Sequence, residues 1–438
     1  MVQILKVGAI ALLAALCAVL FVAAVLLVDS PGSGNWQIPV KLTPASTLRL
    51  KAAPILGAAT SPTGRRLLDG SRWRTRAGTV ALADRDGALV ARCAPCELRI
   101  GQLSAEPLRL SAVTLALRRE RGQVSGWLAA ANDGTEQRLV FNGTLDERGM
   151  ALRWELPRAE LAGVLSLFRA AVPEAGRATI HGHFSAAGTF SLPSGKWSIS
   201  PRIEGFEVYG LGTERLRYGA MDFVCRDGDG LPRLRHGGDG APGWLAPGKM
   251  GGTLPRAVLA AEDGRFFEHP GYDLEEVIPL LANSERSGQR GASTLTQQLA
   301  KNLYTGADRS GARKLRELLY AVEMERTLGK QRILALYLNT VDWGPGICGA
   351  RNAARTYFGR APEHLNPVQA AWLGGILRNP HRAYHEEFLT RTPEARRLNW
   401  VLAQTPRVSR RHGLGWDVAG TCQGSHGNGV QPHRKRPA

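Results

Sequence analysis

An apolar segment near the N-terminus limits most strongly what this chain can fold into. Residues 7–28 contain no charged side chain, with Lys6 before them and Asp29 after them. As a helix rising ~1.5 Å per residue, the segment would reach about 33 Å, enough to cross the hydrocarbon core of a membrane. A cleaved signal peptide is the alternative, but its apolar part is shorter, roughly 7–15 residues. We therefore predict a transmembrane helix at 7–28 and a cytoplasmic tip at 1–6, with the rest of the chain on the opposite side.

The charge of the chain indicates an anionic partner. The formal net charge is +18, and the isoelectric point is near 10.2. Such an excess of basic residues suits nucleic acid, a phospholipid surface or a phosphorylated substrate, although part of it is ordinary solvated arginine. Because a membrane anchor holds the chain at a lipid surface, we expect the last two partners and no nucleic acid.

The cysteines allow disulfides if the chain is exported. Cys93 and Cys96 form a CxxC pair, which could be a local disulfide, a redox motif or half of a zinc site. No second pair completes a zinc site by spacing, so a structural disulfide or inert thiols are favoured. Cys348 with Cys422 is a candidate for a second bridge, while Cys17 lies in the apolar segment and Cys225 stays unassigned.

Residues 35–236 are predicted to form a β-rich domain. Short segments alternate apolar with polar residues and are separated by Gly, Pro and Asx turns, as half-buried strands require. Residues 158–171 interrupt this pattern with apolar residues at helical spacing, closed by Pro173, and predict one amphipathic helix. The domain loosely resembles the AsmA-type β-domains of envelope proteins, and we expect no catalytic group in it.

The second half of the chain is predicted to be mainly helical. Residues 237–249, rich in Gly, Pro and Asp, predict a linker, and residues 250–405 then show apolar residues at helical spacing. The predicted helices are one that ends at the Glu262-Asp263 pair, one that begins near Thr294, one at 313–328 before Gly329, and one through 333–338.

The C-terminal residues 406–438 are rich in Gly, His and Arg and are expected to be disordered. The predicted fold class is therefore multidomain α+β. It combines an N-terminal transmembrane helix, a β-rich extracytoplasmic domain and a mainly α domain.

Polar side chains gather at three places in the helical half. Each place also has a common structural explanation, because helix ends carry solvated acids, helix starts carry capping hydroxyls and helix faces carry i,i+4 ion pairs. The three clusters contain Glu262 and Asp263 at a helix end; Ser293 and Thr294 at a helix start, with Gln297 and Lys301 four residues apart; and Arg313 and Glu317 four residues apart, with Arg316 beside them.

Taken in order and spacing, these clusters resemble the peptidoglycan glycosyltransferases of glycosyltransferase family 51, which have a lysozyme-like α fold. The family patterns are EDxxFxxHxG, GxSTxTQQxxKN, RKxxE and KxxIL followed by YLN. The matching residues are Glu262, Asp263, Phe266, His269, Gly271; Gly291, Ser293, Thr294, Thr296, Gln297, Gln298, Lys301, Asn302; Arg313, Lys314, Glu317; and Lys330, Ile333, Leu334, Tyr337, Leu338, Asn339.

The resemblance implies an inverting transfer that polymerises lipid II into glycan strands. The sugar 4-hydroxyl of one lipid-linked disaccharide attacks the anomeric carbon of the growing strand and expels polyprenyl diphosphate. A hydroxyl is a poor nucleophile, so a carboxylate acting as general base should contribute roughly 10²–10⁴-fold. The resemblance gives this role to Glu262.

The leaving diphosphate needs preorganised cations, as in phosphoryl transfer. By resemblance these cations are Lys301, Arg309 and Arg316, and Glu317 is a second catalytic acid that holds a divalent metal, Mg²⁺, or orients the donor. Sugar and phosphate oxygens are expected to contact Asp263, Ser293, Gln297, Asn302 and Arg313.

The resemblance also implies a location and partners. We expect a single-pass protein of the bacterial inner membrane with its catalytic domain on the periplasmic side. The expected partners are lipid II, the growing strand and the membrane, with other cell-wall synthesis proteins meeting the β-rich domain. No SxxK, SxN and KTG set follows, so no transpeptidase activity is expected.

Two alternatives belong to other classes. A non-catalytic envelope scaffold could hold glycan or lipid, and a lysozyme-like hydrolase would also use one acid near a glycan. The family commonly has Glu where this chain has Ala335, which would favour reduced activity. The intact Glu262 and Glu317 favour the transferase, as do the anchor and the cations.

Overall fold

The computed structural model describes residues 37–43, 46–100, 103–146, 149–192, 194, 196–246, 252–274, 293–306 and 310–411. Among these, no helix has the length and apolar character needed to span a membrane. The predicted transmembrane segment at 7–28 lies outside the described residues, so that prediction is not tested.

The chain forms two compact units. The first, called here the β unit, comprises Met1–Gly210, Leu274–Ala292 and Arg309–Arg316. The second, called the helical unit, comprises Leu211–Asp273, Ser293–Asp308 and Glu317–Ala438. The boundary at residue 210 lies before the predicted one at 236.

The β unit confirms the predicted β-rich region. Its main sheet has nine strands in the order β13-β12-β11-β10-β9-β8-β5-β4-β3, and each neighbouring pair is antiparallel. Two further hairpins pair β1 with β2 and β6 with β7. The strands are β1 Gln37–Thr43, β2 Ser46–Lys51, β3 Arg72–Thr75, β4 Gly78–Arg85, β5 Ala88–Cys93, β6 Cys96–Leu98, β7 Leu108–Leu110, β8 Ala112–Glu120, β9 Gln123–Asn132, β10 Thr135–Asp146, β11 Gly149–Glu160, β12 Thr179–Leu192 and β13 Trp197–Tyr209.

Among the described residues, the β unit has four short helices: α1 Ala52–Ala59, α2 Pro62–Leu68, α3 Leu161–Ser166 and α4 Glu174–Arg177. The predicted helix at 158–171 is therefore too long. Residues 158–160 extend β11, because Ala159 and Glu160 pair with Phe184 and His183 of β12. The apolar periodicity is nevertheless right, since Val164 and Phe168 are buried against the sheet.

The helical unit begins with a 3-10 turn at Thr213–Arg217 and the hairpin β14 Ala220–Arg226 with β15 Pro232–Gly238. Its helices are α5 Thr253–Glu262, α6 Leu295–Ala300, α7 Gly311–Thr340, α8 Ala350–Phe358, α9 Pro367–Ile376, α10 Pro380–Ala383 and α11 Ala395–Arg411. Two π-turns, Lys301–Thr305 and Tyr384–Phe388, and a 3-10 turn at Pro362–His364 complete it. The first six residues of α7 belong to the β unit.

The predicted helix boundaries in this half are largely confirmed. α5 ends at Glu262, α6 begins after Thr294, and α7 has a non-helical residue, Gly329 with φ 73°, at the predicted break. Glycine adopts positive φ without the steric cost that a Cβ would impose, so the chain kinks at this residue.

Two predicted segments differ from the structure. The linker at 237–249 is not a free tether, because Gly237 and Gly238 belong to β15 and Leu245 exchanges two hydrogen bonds with the Asn339 side chain. The tail expected to be disordered from 406 is helical to Arg411, since α11 runs through Pro406 and buries Val408. Residues 412–438 lie outside the described part of the chain.

Two disulfides are present in the described part of the chain. Cys93 bonds to Cys96, as favoured from the sequence, and Cys225 bonds to Cys348. The candidate bridge from Cys348 to Cys422 is therefore wrong. The reason is packing: β14 buries Cys225 beside Phe223, and these residues form one apolar cluster with Cys348, against which Trp244 and Leu303 pack.

Candidate active site

The carboxylate of Glu262 lies at the C-terminal end of α5. The helix stops there because Asp263 leaves the helical region, with φ −159° and ψ 76°. The Glu262 side chain is 12% exposed, and one oxygen accepts a hydrogen bond from Gln298 Nε2 at 3.1 Å. Its other oxygen lies 3.6 Å from the guanidinium of Arg397. Glu262 is thus a largely buried acid held by two partners.

Gln298 is itself fixed by a second hydrogen bond. Its side-chain oxygen accepts from the hydroxyl of Tyr337 at 2.9 Å, which orients the amide so that its nitrogen donates to Glu262. Tyr337 is fully buried, and burial raises the pKa of its phenol well above the ordinary value, with the nearby Glu262 and Asp263 adding to this effect. The phenol therefore stays protonated and remains a donor.

The environment raises the pKa of Glu262 above its ordinary value. Burial is the largest cause, because it penalises the charged carboxylate, and the charge of Asp263 adds to it. The Gln298 hydrogen bond and the charges of Arg397 and Arg378 act in the opposite direction but do not cancel burial. A carboxylate tuned upward in this way is a better proton acceptor at neutral pH than a solvated one.

Arg397 comes from α11, outside the sequence motifs. One terminal nitrogen donates to the carbonyl of Ala261 at 3.0 Å and faces Glu262, while the guanidinium stacks 4.7 Å from the ring of Trp400. Burial lowers its pKa, and the charge of Glu262 counteracts this. Arg397 therefore stays a fixed cation beside the acid.

Asp263 joins two helices. Its carboxylate accepts from the Nε2 of His269 at 3.0 and 3.1 Å and from the backbone N–H of Leu295, the first residue of α6, at 2.8 Å. His269 Nδ1 accepts from the N–H of Gly271, so the network assigns the proton to Nε2. These bonds give Asp263 a positioning role, and its predicted contact with substrate stays a prediction.

The start of α6 forms a capping box. Thr294 accepts from the N–H of Gln297 at 3.2 Å, and the Gln297 side chain accepts from the N–H of Thr294 at 3.2 Å. The Thr294 hydroxyl also donates to the carbonyl of Gly271. The structural explanation for Thr294 as a cap is confirmed, and the Gln297 side chain, predicted to contact substrate, serves the same cap.

Lys301 lies where α6 passes into the π-turn Lys301–Thr305. It is exposed, whereas Ser293 and Asn302 are half-buried. Tyr304 anchors the turn by stacking on Tyr320 with ring centroids 4.1 Å apart. Single π-turns often occur at functional sites, which agrees with the role predicted for Lys301.

Lys330 of the KxxIL motif braces this region. Its Nζ donates to the carbonyl of His269 at 2.6 Å and to Glu325 at 2.8 Å, and it lies 4.5 Å from the ring of Phe266. The same Glu325 oxygen accepts from Thr296 at 2.6 Å. Three of the motifs are therefore held together by one ion-pair cluster.

The RKxxE motif is divided between the two units. Arg313 and Arg316 are half-buried in the β unit, whereas Glu317 is fully buried in the helical unit. Arg316 Nε donates to both oxygens of Glu174 at 3.0 and 2.9 Å. Arg309 lies outside the described residues.

The predicted metal site was tested on the donor set. Within the described ranges, no three His, Cys, Asp or Glu side chains gather closely enough to hold a metal ion. The described residues around Glu317 therefore do not form a metal cage by themselves.

Sequence reasoning missed three residues that shape the site. Gln298 and Tyr337 belong to the motifs, but the sequence predicted no role for either of them. Their neighbours have structural contacts: the Gln297 side chain caps α6, and the Asn339 side chain donates to the backbone carbonyl of Leu245. No sequence pattern indicated a role for Arg397, because it lies in α11, beyond the last of the motifs. Ala335 is buried, and its carbonyl accepts from Asn339.

Comparison with known proteins identifies the family. Residues 240–405 match the transglycosylase family model. The chain is 43% identical over 176 residues to the biosynthetic peptidoglycan transglycosylase of Azoarcus sp. (strain BH72), covering 40% of this chain and 71% of that protein. The biosynthetic peptidoglycan transglycosylase of Pseudomonas aeruginosa is 44% identical over 138 residues, covering 31% of this chain and 60% of that protein. The chain therefore belongs to the biosynthetic peptidoglycan transglycosylase family.

Proposed function

We infer that this peptidoglycan glycosyltransferase polymerises lipid II into glycan strands, with Glu262 as the general base. The observation that carries the assignment is the largely buried Glu262 carboxylate, held by Gln298 and Arg397 and raised in pKa. The family membership supplies the reaction class, and the matched motifs supply the position of the acid.

In the proposed reaction, the 4-hydroxyl oxygen of one lipid-linked disaccharide attacks the anomeric carbon of the growing strand. The hydroxyl proton passes to Glu262 as the new glycosidic bond forms. The bond from the anomeric carbon to the diphosphate breaks, with inversion, and the electron pair leaves with polyprenyl diphosphate. A positioned base of this kind contributes roughly 10²–10⁴-fold to the rate.

Charge on the leaving diphosphate is proposed to be balanced by cations of this chain. Lys301 is exposed on its π-turn and can approach a ligand, and Arg316 is the second candidate. Guanidinium groups bind phosphate oxygens bidentately, and lysine acts as a point charge. Arg309 and Arg313 keep their predicted roles by resemblance alone.

A divalent ion remains part of the proposal in a limited form. Mg²⁺ prefers phosphate oxygens together with one or two carboxylates and waters, so the substrate diphosphate itself can supply most ligands. We expect chelation with EDTA to lower polymerisation without unfolding the protein. Unchanged activity in EDTA would remove the ion from the proposal.

The location is also proposed. Membership of a cell-wall transglycosylase family indicates the envelope, and a single-pass inner-membrane protein with a periplasmic catalytic region would meet lipid II at the membrane surface. Partners among other cell-wall proteins would contact the β-rich region. Fractionation with a protease-accessibility assay tests both the anchor and the side of the membrane.

The direct test uses purified, detergent-solubilised protein with lipid II and Mg²⁺, with and without a moenomycin-type inhibitor. Inhibitor-sensitive polymer on a gel is the expected result. Absence of polymer from folded protein would overturn the transferase and favour the envelope scaffold, and release of soluble fragments from preformed glycan would favour a hydrolase.

A further inference from the structure

A buried carboxylate of the β unit binds an arginine of the catalytic motif. Glu174, the first residue of α4, has a side chain only 2% exposed, and Arg316 is 29% exposed. Arg316 Nε lies 3.0 and 2.9 Å from the two carboxylate oxygens. Arg177, which is exposed, lies 3.6 Å from the same carboxylate. The β unit thus holds a buried carboxylate against Arg316, one of the cations proposed to bind the diphosphate.

The local fold explains why Glu174 is buried. The chain turns after α3 through Val172 and Pro173, and Val172 is fully buried, as is Phe168 one turn earlier. The turn closes with the N–H of Val172 bonded to the carbonyl of Phe168. A carboxylate drawn into such a place is costly unless a cation pairs with it, and Arg316 is the cation with the shorter contacts.

A second contact holds the same end of α7. The N–H of Ala312, in the first turn, donates to the carbonyl of the buried Leu103 at 2.8 Å. Ala312 and Arg316 are four residues apart and therefore lie on one face of the helix. Two contacts, one turn apart, fix both the rotation of this helix end and the height of Arg316 along it.

The geometry of the ion pair orients the guanidinium. Both bonds run from Nε, so the carboxylate sets the plane of the group and with it the directions of the terminal nitrogens. An arginine whose plane is fixed in advance loses less conformational freedom when it binds a phosphate.

We propose that Glu174 is a positioning residue that fixes Arg316 for binding the diphosphate of the lipid-linked substrate. The proposal rests on the function proposed above, and it gives a β-unit residue a part in substrate binding. It also predicts that neutralising Glu174 weakens binding of the diphosphate. If Glu174 instead masked Arg316 from the diphosphate, neutralising Glu174 would strengthen binding.

The test compares full-length wild type with Glu174→Gln, using undecaprenyl diphosphate in detergent micelles as the binding probe and lipid II as the substrate. We expect Kd for undecaprenyl diphosphate to rise about tenfold and kcat/KM to fall by a similar factor, the size typical of losing one charge-assisted contact. Binding of undecaprenol, which has no diphosphate, should be unchanged. Glu174→Asp should restore part of the affinity.

Asp84→Asn is the matched control, since Asp84 pairs with Arg65 in the same unit at 3.0 Å and both side chains are largely buried. We expect this variant to bind within twofold of wild type. Arg316→Lys keeps the buried charge pair but loses the Nε contact with Glu174. Its affinity for undecaprenyl diphosphate therefore tests the same contact if Glu174→Gln fails to fold. Unchanged or tighter diphosphate binding in Glu174→Gln, or in Arg316→Lys if Glu174→Gln does not fold, would overturn the proposal. Wild type that binds diphosphate but makes no polymer would overturn only the proposed function.

Discussion

Gln298 donates a hydrogen bond to Glu262 across 3.1 Å, from a helix 36 residues further along the chain. The donor favours the charged carboxylate, while burial disfavours it, and burial is the larger effect on the pKa of Glu262. The acid is therefore held in place by the same group that limits how far its pKa rises. The site can be tested by changing either residue.

Glu262→Gln should abolish polymerisation while keeping the fold. Gln is isosteric but accepts no proton at neutral pH, so we expect the rate to fall by roughly 10²–10⁴-fold. Gel analysis of lipid II polymerisation measures the loss, and binding of a moenomycin-type inhibitor verifies that the site is formed. A variant polymerising at the wild-type rate would remove Glu262 as the base.

The same substitution should stabilise the protein at neutral pH. Because the pKa of Glu262 is raised above its ordinary value of 4.5 in the folded state, the folded chain holds the proton more tightly than the unfolded chain. Stability from this group is present below the ordinary pKa and is lost as pH rises through the folded pKa. Glu262→Gln should therefore have the higher Tm at pH 7, and the difference should vanish near pH 4. A lower Tm at pH 7 would contradict the raised pKa.

Gln298→Leu should move the acid limb of the pH–rate profile to higher pH. In wild type, activity needs the Glu262 carboxylate and should rise as pH passes a pKa above the ordinary Glu value. Removing the Gln298 donor raises that pKa further, because this bond favours the charged form. Profiles of kcat/KM for lipid II give the measurement. Gln369→Ala, which removes the capping side chain of α9, is the control and should leave the limb in place.

Asp263→Ala should destabilise the helical unit. Its carboxylate accepts bonds from His269 and from the N–H of Leu295, and both donors would be left unsatisfied in a buried place. Losses of about 1–3 kcal/mol for each of the two buried donors predict a total of roughly 2–6 kcal/mol. Urea unfolding measures the change. Full stability with weakened lipid II binding would instead support direct contact of Asp263 with substrate.

Replacing both Cys225 and Cys348 by Ala should lower stability by about 2–5 kcal/mol, because the bridge closes a loop between residues 123 apart. The matched control is the Cys93 and Cys96 pair, which are only 3 residues apart, so Ala at both should cost much less. Thermal unfolding of both variants under non-reducing conditions gives the comparison. Equal losses would show that loop closure is not the main contribution.

The periodic parts of the fold could be predicted from the sequence. The strands of the β unit, the end of α5 at Glu262, the cap at Thr294 and the kink at Gly329 all follow from local patterns that survive in the folded chain. The helix at 158–171 was overestimated because strand pairing with β12 outweighs helical spacing at residues 158–160. The Cys225 bridge could not be foreseen, since a pairing over that separation depends on tertiary packing.

In the candidate site, the sequence indicated the acidic residue Glu262 but not the residues that shift its pKa. Glu262 followed from the motif, but the donors on it come from Gln298 and from Arg397, which lies far beyond the motifs. The Gln297 side chain caps α6, and its predicted contact with substrate stays a prediction. The neighbouring glutamines differ because they point in different directions around the helix, and in the folded chain it is Gln298 that accepts from the Tyr337 hydroxyl and donates to Glu262.

The first two turns of α7 contact two groups that the matched family region, residues 240–405, does not contain: the carbonyl of Leu103 and the carboxylate of Glu174. A recombination event that joined residues 240–405 to a different N-terminal region would leave Ala312 and Arg316 to find new partners. The β-rich sequence therefore supplies two of the contacts that hold the start of α7, although α7 lies within the matched family region.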